Sequence, residues 1–258
     1  MTSADFFEKY RYFHVKKMLP IDVCNIATQY ALYHRMQNPQ MRVDPQIPNT
    51  HSVYGDPLME TLLQFSKPHM EKVTGLDLIP TYSYFRIYKP GDILARHKDR
   101  PSCEISTTIT LGYHYTGGTA PGWVWPMSVG DSNGEIGTKG NSLHCEQGDC
   151  IIYRGCELEH WREPLVANNG SYHVQVFLHY INANGPFANE HAYEYHTIVI
   201  GRDITLEEYM DMYPGERSIP LIFMETAAGD RVKIGGYMEL KEWHDKWETG
   251  SQLGDLSL

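Results

Sequence analysis

His97 and Asp99 stand two residues apart in the run Ala95-Arg96-His97-Lys98-Asp99-Arg100. At the end of a strand, residues i and i+2 leave the same face, so an imidazole and a carboxylate converge on one point. A second imidazole from a neighbouring strand would complete a 2-His-1-carboxylate face, the arrangement that holds iron(II) and leaves coordination positions open. His160, in Glu157-Leu158-Glu159-His160-Trp161-Arg162, is the candidate. The HxD pair alone is a weak signal, because a chain with 13 His produces such spacings by chance. Its bland alternative is a strand end with two solvated side chains. The order of the surrounding segments favours the metal reading: β segment, Pro-Gly turn, HxD, further β segments, Gly-Asp turn, apolar strand, His160, closing strand.

The elements that must position these residues read as follows. Thr81 to Tyr88 is β-prone and aromatic, and Lys89-Pro90-Gly91-Asp92 is a turn. Ile105 to Tyr115 is rich in β-branched residues and predicts a strand. Trp123 to Val129 predicts a short strand, 130–142 a loop, and Gly148-Asp149 a turn before the strand Cys150 to Tyr153. His173 to Ile181 is the closing strand. Ahead of them, a 3.6-residue period predicts helices from Asp22 to about Asn38 and from about Asp56 to Val73, with Asp22 as an N-cap, Pro68 as a kink and Gly75 as a stop. Residues 39–55 read as a loop. Many short strands with helices outside them predict a mainly β fold with flanking helices, a sandwich or barrel. The organisation expected is helical support over 1–78, a β core over 79–182 and an extension over 183–258 packed on the same domain. In that extension, Leu206 to Met212 and Glu239 to Trp247 are candidate helices, and Gly229-Asp230 and Gly235-Gly236 are turns beside short strands.

Arg86-Ile87-Tyr88-Lys89-Pro90-Gly91 before His97-Lys98-Asp99, then Gly148-Asp149, His160 and the closing strand, resembles the iron(II)- and 2-oxoglutarate-dependent dioxygenases, in particular their prolyl-4-hydroxylase-like branch. The resemblance implies a double-stranded β-helix, a cupin-like jelly roll. It implies Fe(II) on His97, Asp99 and His160, with 2-oxoglutarate as cosubstrate and O2 as oxidant. It further implies hydroxylation of an unactivated C–H, of a prolyl residue or a free amino acid. One departure matters. The family usually carries an Arg or Lys on the closing strand, roughly ten residues after the distal His, for the far carboxylate of 2-oxoglutarate. Ser171 falls at that place, and no Arg or Lys lies between Arg162 and Arg202. Arg86 or a protonated His173, helped by Tyr88, would have to replace it. Arg86 is preferred, because its charge does not depend on pH and its fork fits a carboxylate.

Composition narrows the alternatives. Hydrophobic residues make up 41% of the 258, enough for a real core, and the formal net charge of -10 argues against a dedicated nucleic-acid binder. No apolar run is long enough to span a membrane, and the start MTSADFFEKYRYF lacks the pattern of a secretory signal. The five Cys are scattered without a CxxC, which suits free thiols in a reducing cytoplasm. His191 with His196, and His144 with Cys145, are poorly spaced for a second metal. Trp161 and Arg162 flank the distal His as substrate contacts or as packing behind the ligand. The missing closing-strand cation keeps a cupin-like metalloenzyme that does not use 2-oxoglutarate in play, and a non-catalytic binding module is a third reading. A small molecule or peptide is the expected partner. The loops at 39–55, 99–104 and 116–142 are the expected rim of the site.

Overall fold

Thr2 opens the first helix with a capping box. Its hydroxyl accepts the Asp5 N–H, and the Asp5 carboxylate accepts the Thr2 N–H. That helix, α1 (Ser3–Tyr10), is followed by a strand, β1 (Tyr12–Val15), which interrupts the stretch expected to be helical. The second helix, α2 (Ile21–Gln37), has Pro20 at its N-cap, so Asp22 lies inside the first turn rather than capping it. The third, α3 (Pro57–Thr74), is capped by the Asp56 carboxylate on the N–H groups of Leu58 and Met59, runs through Pro68, and stops at Gly75 in the left-handed region. The computed structural model describes residues 1–38, 46–48, 50–131 and 136–188, and the strand pair at 222–225 and 231–235.

Two antiparallel sheets carry the site. The larger has the order β1-β8-β5-β10-β3-β2, with β2 (His51–Tyr54), β3 (Leu78–Tyr88), β5 (Ile105–His114), β8 (Cys150–Arg154) and β10 (Tyr172–Asn182). The smaller has the order β4-β9-β6-β7, with β4 (Leu94–His97), β6 (Met127–Val129), β7 (Asn141–Leu143) and β9 (His160–Arg162). This is the double-sheeted jelly roll expected. Two boundaries differ from expectation. Residues 51–54 form the edge strand β2 instead of loop, since His-Ser-Val-Tyr suits a pleated surface and pairs with Tyr84 to Ile87. The strand expected from Trp123 begins only at Met127, after Pro126, which has no N–H to give a ladder.

The larger sheet sorts its side chains by parity. Phe85 and Ile87 of β3, Ile105, Ile109 and Leu111 of β5, and Val174, Val176, Leu178 and Tyr180 of β10 pack with Phe7, Ala27, Met59 and Leu63 of the helices. The alternate residues face the smaller sheet: Arg86 and Tyr88 of β3, Ser106, Thr108 and Thr110 of β5, and His173, Gln175, Phe177 and His179 of β10. One face of this sheet is therefore an oily floor for helices and the other a polar chamber. The Gly148-Asp149 turn locks the start of β8 to the chain before α2. The buried Asp149 carboxylate accepts from Lys16 Nζ at 2.7 Å and from the N–H groups of Lys17 and Glu146 at 3.0 Å each.

Residues Met1–Tyr195 form one compact unit and His196–Leu258 a second. In the second, β11 (Ile222–Glu225) pairs antiparallel with β12 (Arg231–Gly235), and the turn expected at Gly229-Asp230 lies outside the described residues. The helices expected at 206–212 and 239–247, and His191 and His196, lie outside the described residues.

Candidate metal centre

β4 ends on His97, and β9 begins on His160 directly across the ladder. The chain leaves β4 and returns Asp99 to the same point, where its N–H donates to the Gly155 carbonyl at 2.8 Å. Asp99 Oδ1 then lies 3.6 Å from His97 Nε2 and 3.4 Å from His160 Nε2. The ligating atoms of all three side chains lie within 4.8 Å of one another.

Both imidazoles are held in one orientation. His97 Nδ1 is 2.7 Å from the Ala95 carbonyl and His160 Nδ1 is 3.0 Å from the Leu158 carbonyl. A carbonyl only accepts, so each Nδ1 carries the proton and each Nε2 presents its lone pair to the centre. Burial, with the neighbouring His160, lowers the pKa of His97 and keeps that lone pair available. Burial alone would raise the pKa of Asp99, but the attraction of the surrounding imidazoles, His160 first, outweighs it and holds the carboxyl down to about 2. The set is therefore two imidazole nitrogens and one carboxylate oxygen, the donor chemistry that suits a divalent first-row metal.

Behind Asp99 runs a relay of neutral groups. Ser106 Oγ donates to Asp99 Oδ2 at 3.1 Å and accepts from His179 Nδ1 at 2.9 Å. Cys103 and His179 also lie close to Asp99. Burial, then the Asp99 charge, pushes the Cys103 thiol up to about 12, so it is a protonated neighbour and not a competing thiolate. Gly155 closes the back of the cradle.

The chamber places the three cosubstrate candidates on adjoining strands, with Tyr88 opposite His173 and Arg86 opposite Gln175. Arg86 is buried, and its Nη1 donates to the Tyr88 hydroxyl at 3.2 Å. Its Nη2 donates to Gln46 Oε1 at 3.0 Å and to the Tyr84 hydroxyl at 3.2 Å. The Gln46 amide nitrogen is in turn 3.1 Å from His97 Nε2, so Arg86 sits at the metal end of the chamber. His173 is different from expectation. Burial, then repulsion by Arg162, pushes its pKa down to about 3, so it is a neutral imidazole. It accepts from the Tyr115 hydroxyl at Nδ1 and donates from Nε2 to Gln175 Oε1. A cationic His173 is thereby removed as a substitute for the missing Arg or Lys.

Several residues here had no role in the sequence reading: Ser106, Gly155, Gln46 and Gln175. Arg162 appeared there only as a flank of His160. On β9 it shares the inward face of His160, by the same i, i+2 logic that singled out His97 and Asp99. Trp161 points the other way, with the Arg96 guanidinium 3.5 Å from its ring centroid. The five cysteines are free thiols, and His144 Nδ1 is tied to the Val124 carbonyl.

No family model matches the chain, and no curated protein resembles it at the sequence level. Solved structures do resemble it. A prolyl-4-hydroxylase from Pseudomonas putida is 15% identical with a TM-score of 0.52, over 70% of this chain and 97% of that one. The non-heme alpha ketoglutarate dependent epimerase SnoN from nogalamycin biosynthesis is 13% identical with a TM-score of 0.55, over 70% of this chain and 81% of that one. AviO1 from Streptomyces viridochromogenes is 15% identical with a TM-score of 0.53, over 71% of this chain and 95% of that one. The chain has their fold.

Proposed function

We propose that this protein is an iron(II)- and 2-oxoglutarate-dependent oxygenase that hydroxylates an unactivated C–H. The observation that carries the proposal is the convergence of His97, Asp99 and His160, both Nδ1 atoms tied to carbonyls, inside a fold whose solved neighbours include a prolyl-4-hydroxylase and an alpha ketoglutarate dependent epimerase. His97, Asp99 and His160 would hold the metal. When bound, iron(II) with 2-oxoglutarate supplies the oxidising power of O2, releasing succinate and CO2. The chain's own work is positional. Ala95 and Leu158 orient the two imidazoles, Ser106 and the Gly155 carbonyl orient Asp99, and the Trp125, Tyr88 and Phe177 side chains keep the chamber dry. Arg86 and Tyr88 face the chamber as cosubstrate contacts, and neutral His173 buttresses Gln175.

The substrate class we propose is a prolyl residue of a peptide or a free amino acid, entering past the rim around residues 99–104 and 116–131. Among the described residues no helix is long and apolar enough to cross a membrane. The free thiols fit a reducing cytoplasm.

The test is anaerobic Fe(II) titration followed by succinate release from 2-oxoglutarate, against a panel of prolyl peptides and amino acids. We expect one tight metal site per chain, lost in His160→Ala, and substrate-stimulated succinate formation. Tight metal binding with no response to 2-oxoglutarate would instead favour a metalloenzyme of the same fold that chelates its substrate directly.

A further inference from the structure

Arg162 is a buried cation that meets no anion among the described residues. It is 1% exposed, and its Nη1 donates to the Trp125 carbonyl at 2.8 Å. Its Nη2 donates to Gln175 Oε1 at 3.2 Å, and the Trp125 ring lies 4.7 Å from its centre. Its Nε–H is buried with no hydrogen-bond partner, and no carboxylate among the described residues pairs with it. A guanidinium has five N–H donors in a fixed fork, so most of the fork is unfilled. Taking such a charge out of water is costly unless an opposite charge meets it. The groups around it among the described residues are neutral: Gln175, His173, Tyr115, and the hydroxyls of Thr108 and Thr110 that bond Gln175.

The surroundings are also rigid. Gln175 Oε1 is fixed by donors from Arg162, His173 and Thr110, and Gln175 Nε2 donates to Thr108 at 2.6 Å. The open part of the fork is thus held in place before any ligand arrives, which suits a fixed planar carboxylate. The position decides which carboxylate. Arg162 follows His160 by one pleat repeat on the same inward face of β9, roughly 7 Å deeper along the strand. Arg86 by contrast reaches the metal end, joined to His97 Nε2 through the Gln46 amide.

We propose that Arg162, not Arg86, anchors the distal carboxylate of 2-oxoglutarate, replacing from the strand of the distal His the cation that the closing strand lacks. Tyr88 stands between the two guanidiniums: its hydroxyl accepts from Arg86, and its ring packs against Trp125 at 4.9 Å. Its own O–H can therefore donate to the same carboxylate. The assignment rests on the oxygenase reading above, and its test separates the two.

The full chain, loaded anaerobically with Mn(II), is titrated by calorimetry with 2-oxoglutarate and with 2-oxopentanoate. The second acid keeps the chelating end and replaces the far carboxylate by a methyl group. The wild type should prefer 2-oxoglutarate by about 10- to 100-fold, the range of a charge-assisted pair. In Arg162→Met that preference should collapse while Mn(II) affinity is kept. Arg162→Lys, which retains the charge without the fork and preserves more of the packing, should fall between. Arg86→Met should weaken both acids alike and leave the preference intact. If Arg86→Met abolishes the preference and the Arg162 variants keep it, the assignment is wrong and the oxygenase reading survives. If the metal-loaded wild type binds neither acid, both fall together.

Discussion

Gly155 gives a sharp test of the metal centre, because it touches the one ligand that is not an imidazole. A methyl group at Gly155 would sit 2.9 Å from Asp99 Cβ, and closer still to Asp99 Oδ2 and the Cys103 carbonyl. Non-bonded carbons rest at about 3.5–4.0 Å, so roughly 0.6–1 Å must be found somewhere. The main chain cannot supply it cheaply. Asp99 N–H is bonded to the Gly155 carbonyl at 2.8 Å, and Gly155 N–H to the Glu104 carbonyl at 2.9 Å, so the segments move together. The Asp99 carboxylate is the part left to swing. Metal coordination tolerates only about 0.2 Å of misplacement. Gly155→Ala should therefore weaken metal binding by about 10- to 100-fold, or roughly 1.4–2.7 kcal/mol. Overpacking should remove a further ~1–3 kcal/mol of stability. The assay is Co(II) titration of metal-free protein, read by its visible absorption, with urea unfolding in parallel. Gly130→Ala is the control, since its methyl would meet Glu159 Cβ at an easy 3.4 Å. A Gly155→Ala protein that folds and binds Co(II) with wild-type affinity and spectrum would refute Asp99 as a ligand held by this cradle.

Two further predictions concern stability. Asp149→Asn removes a buried charge and sets an amide N–H₂ against one of the N–H donors of Lys17 or Glu146. Urea unfolding should show a loss of about 1–3 kcal/mol, and no loss would mean that the turn is held by its backbone alone. His51 and His173 are buried neutral. Burial, then His34, pushes His51 down to about 4, and burial, then Arg162, pushes His173 down to about 3. Their unfolded-state pKa is higher, so below about pH 6.5 the unfolded chain takes up protons that the native chain refuses. Stability is thus fully present above that pH and falls as pH drops towards 4, by up to ~1.4 kcal/mol per pH unit for each group. Equal stability at pH 7.5 and pH 5 would contradict this.

Much of the fold was legible because its long elements have one dominant period. Helices α2 and α3 show a 3.6-residue pattern, and β5 and β10 read as strands from β-branched and aromatic content. The short elements escaped for a physical reason. β1, β2, β4, β7 and β9 have three or four residues each, too few for any period to declare itself. Their conformation comes from the ladder they join: β1 exists because Tyr12 to Val15 can pair with Cys150 to Tyr153. Tertiary pairing outweighs local preference in such segments.

The site followed the same divide. His97, Asp99 and His160 were legible because metal ligation restricts residue types to a few and spacing to a few. The anion site was not, because a guanidinium's task depends on what faces it. Arg86 and Arg162 are alike in sequence, each one strand position from aromatic residues. They part company only in the chamber. Arg86 reaches Gln46 and two tyrosine hydroxyls beside His97, whereas Arg162 lies one pleat repeat beyond His160 on β9, met by the Trp125 carbonyl and Gln175. A buried charge left uncompensated by the chain is information about what the chain binds, since a folded protein rarely retains so costly a group without a partner to meet it. That inference needs the third dimension: the absence of an acid beside Arg162 among the described residues is a property of the whole chamber, built from β3, β5, β9 and β10, and of no single stretch of sequence.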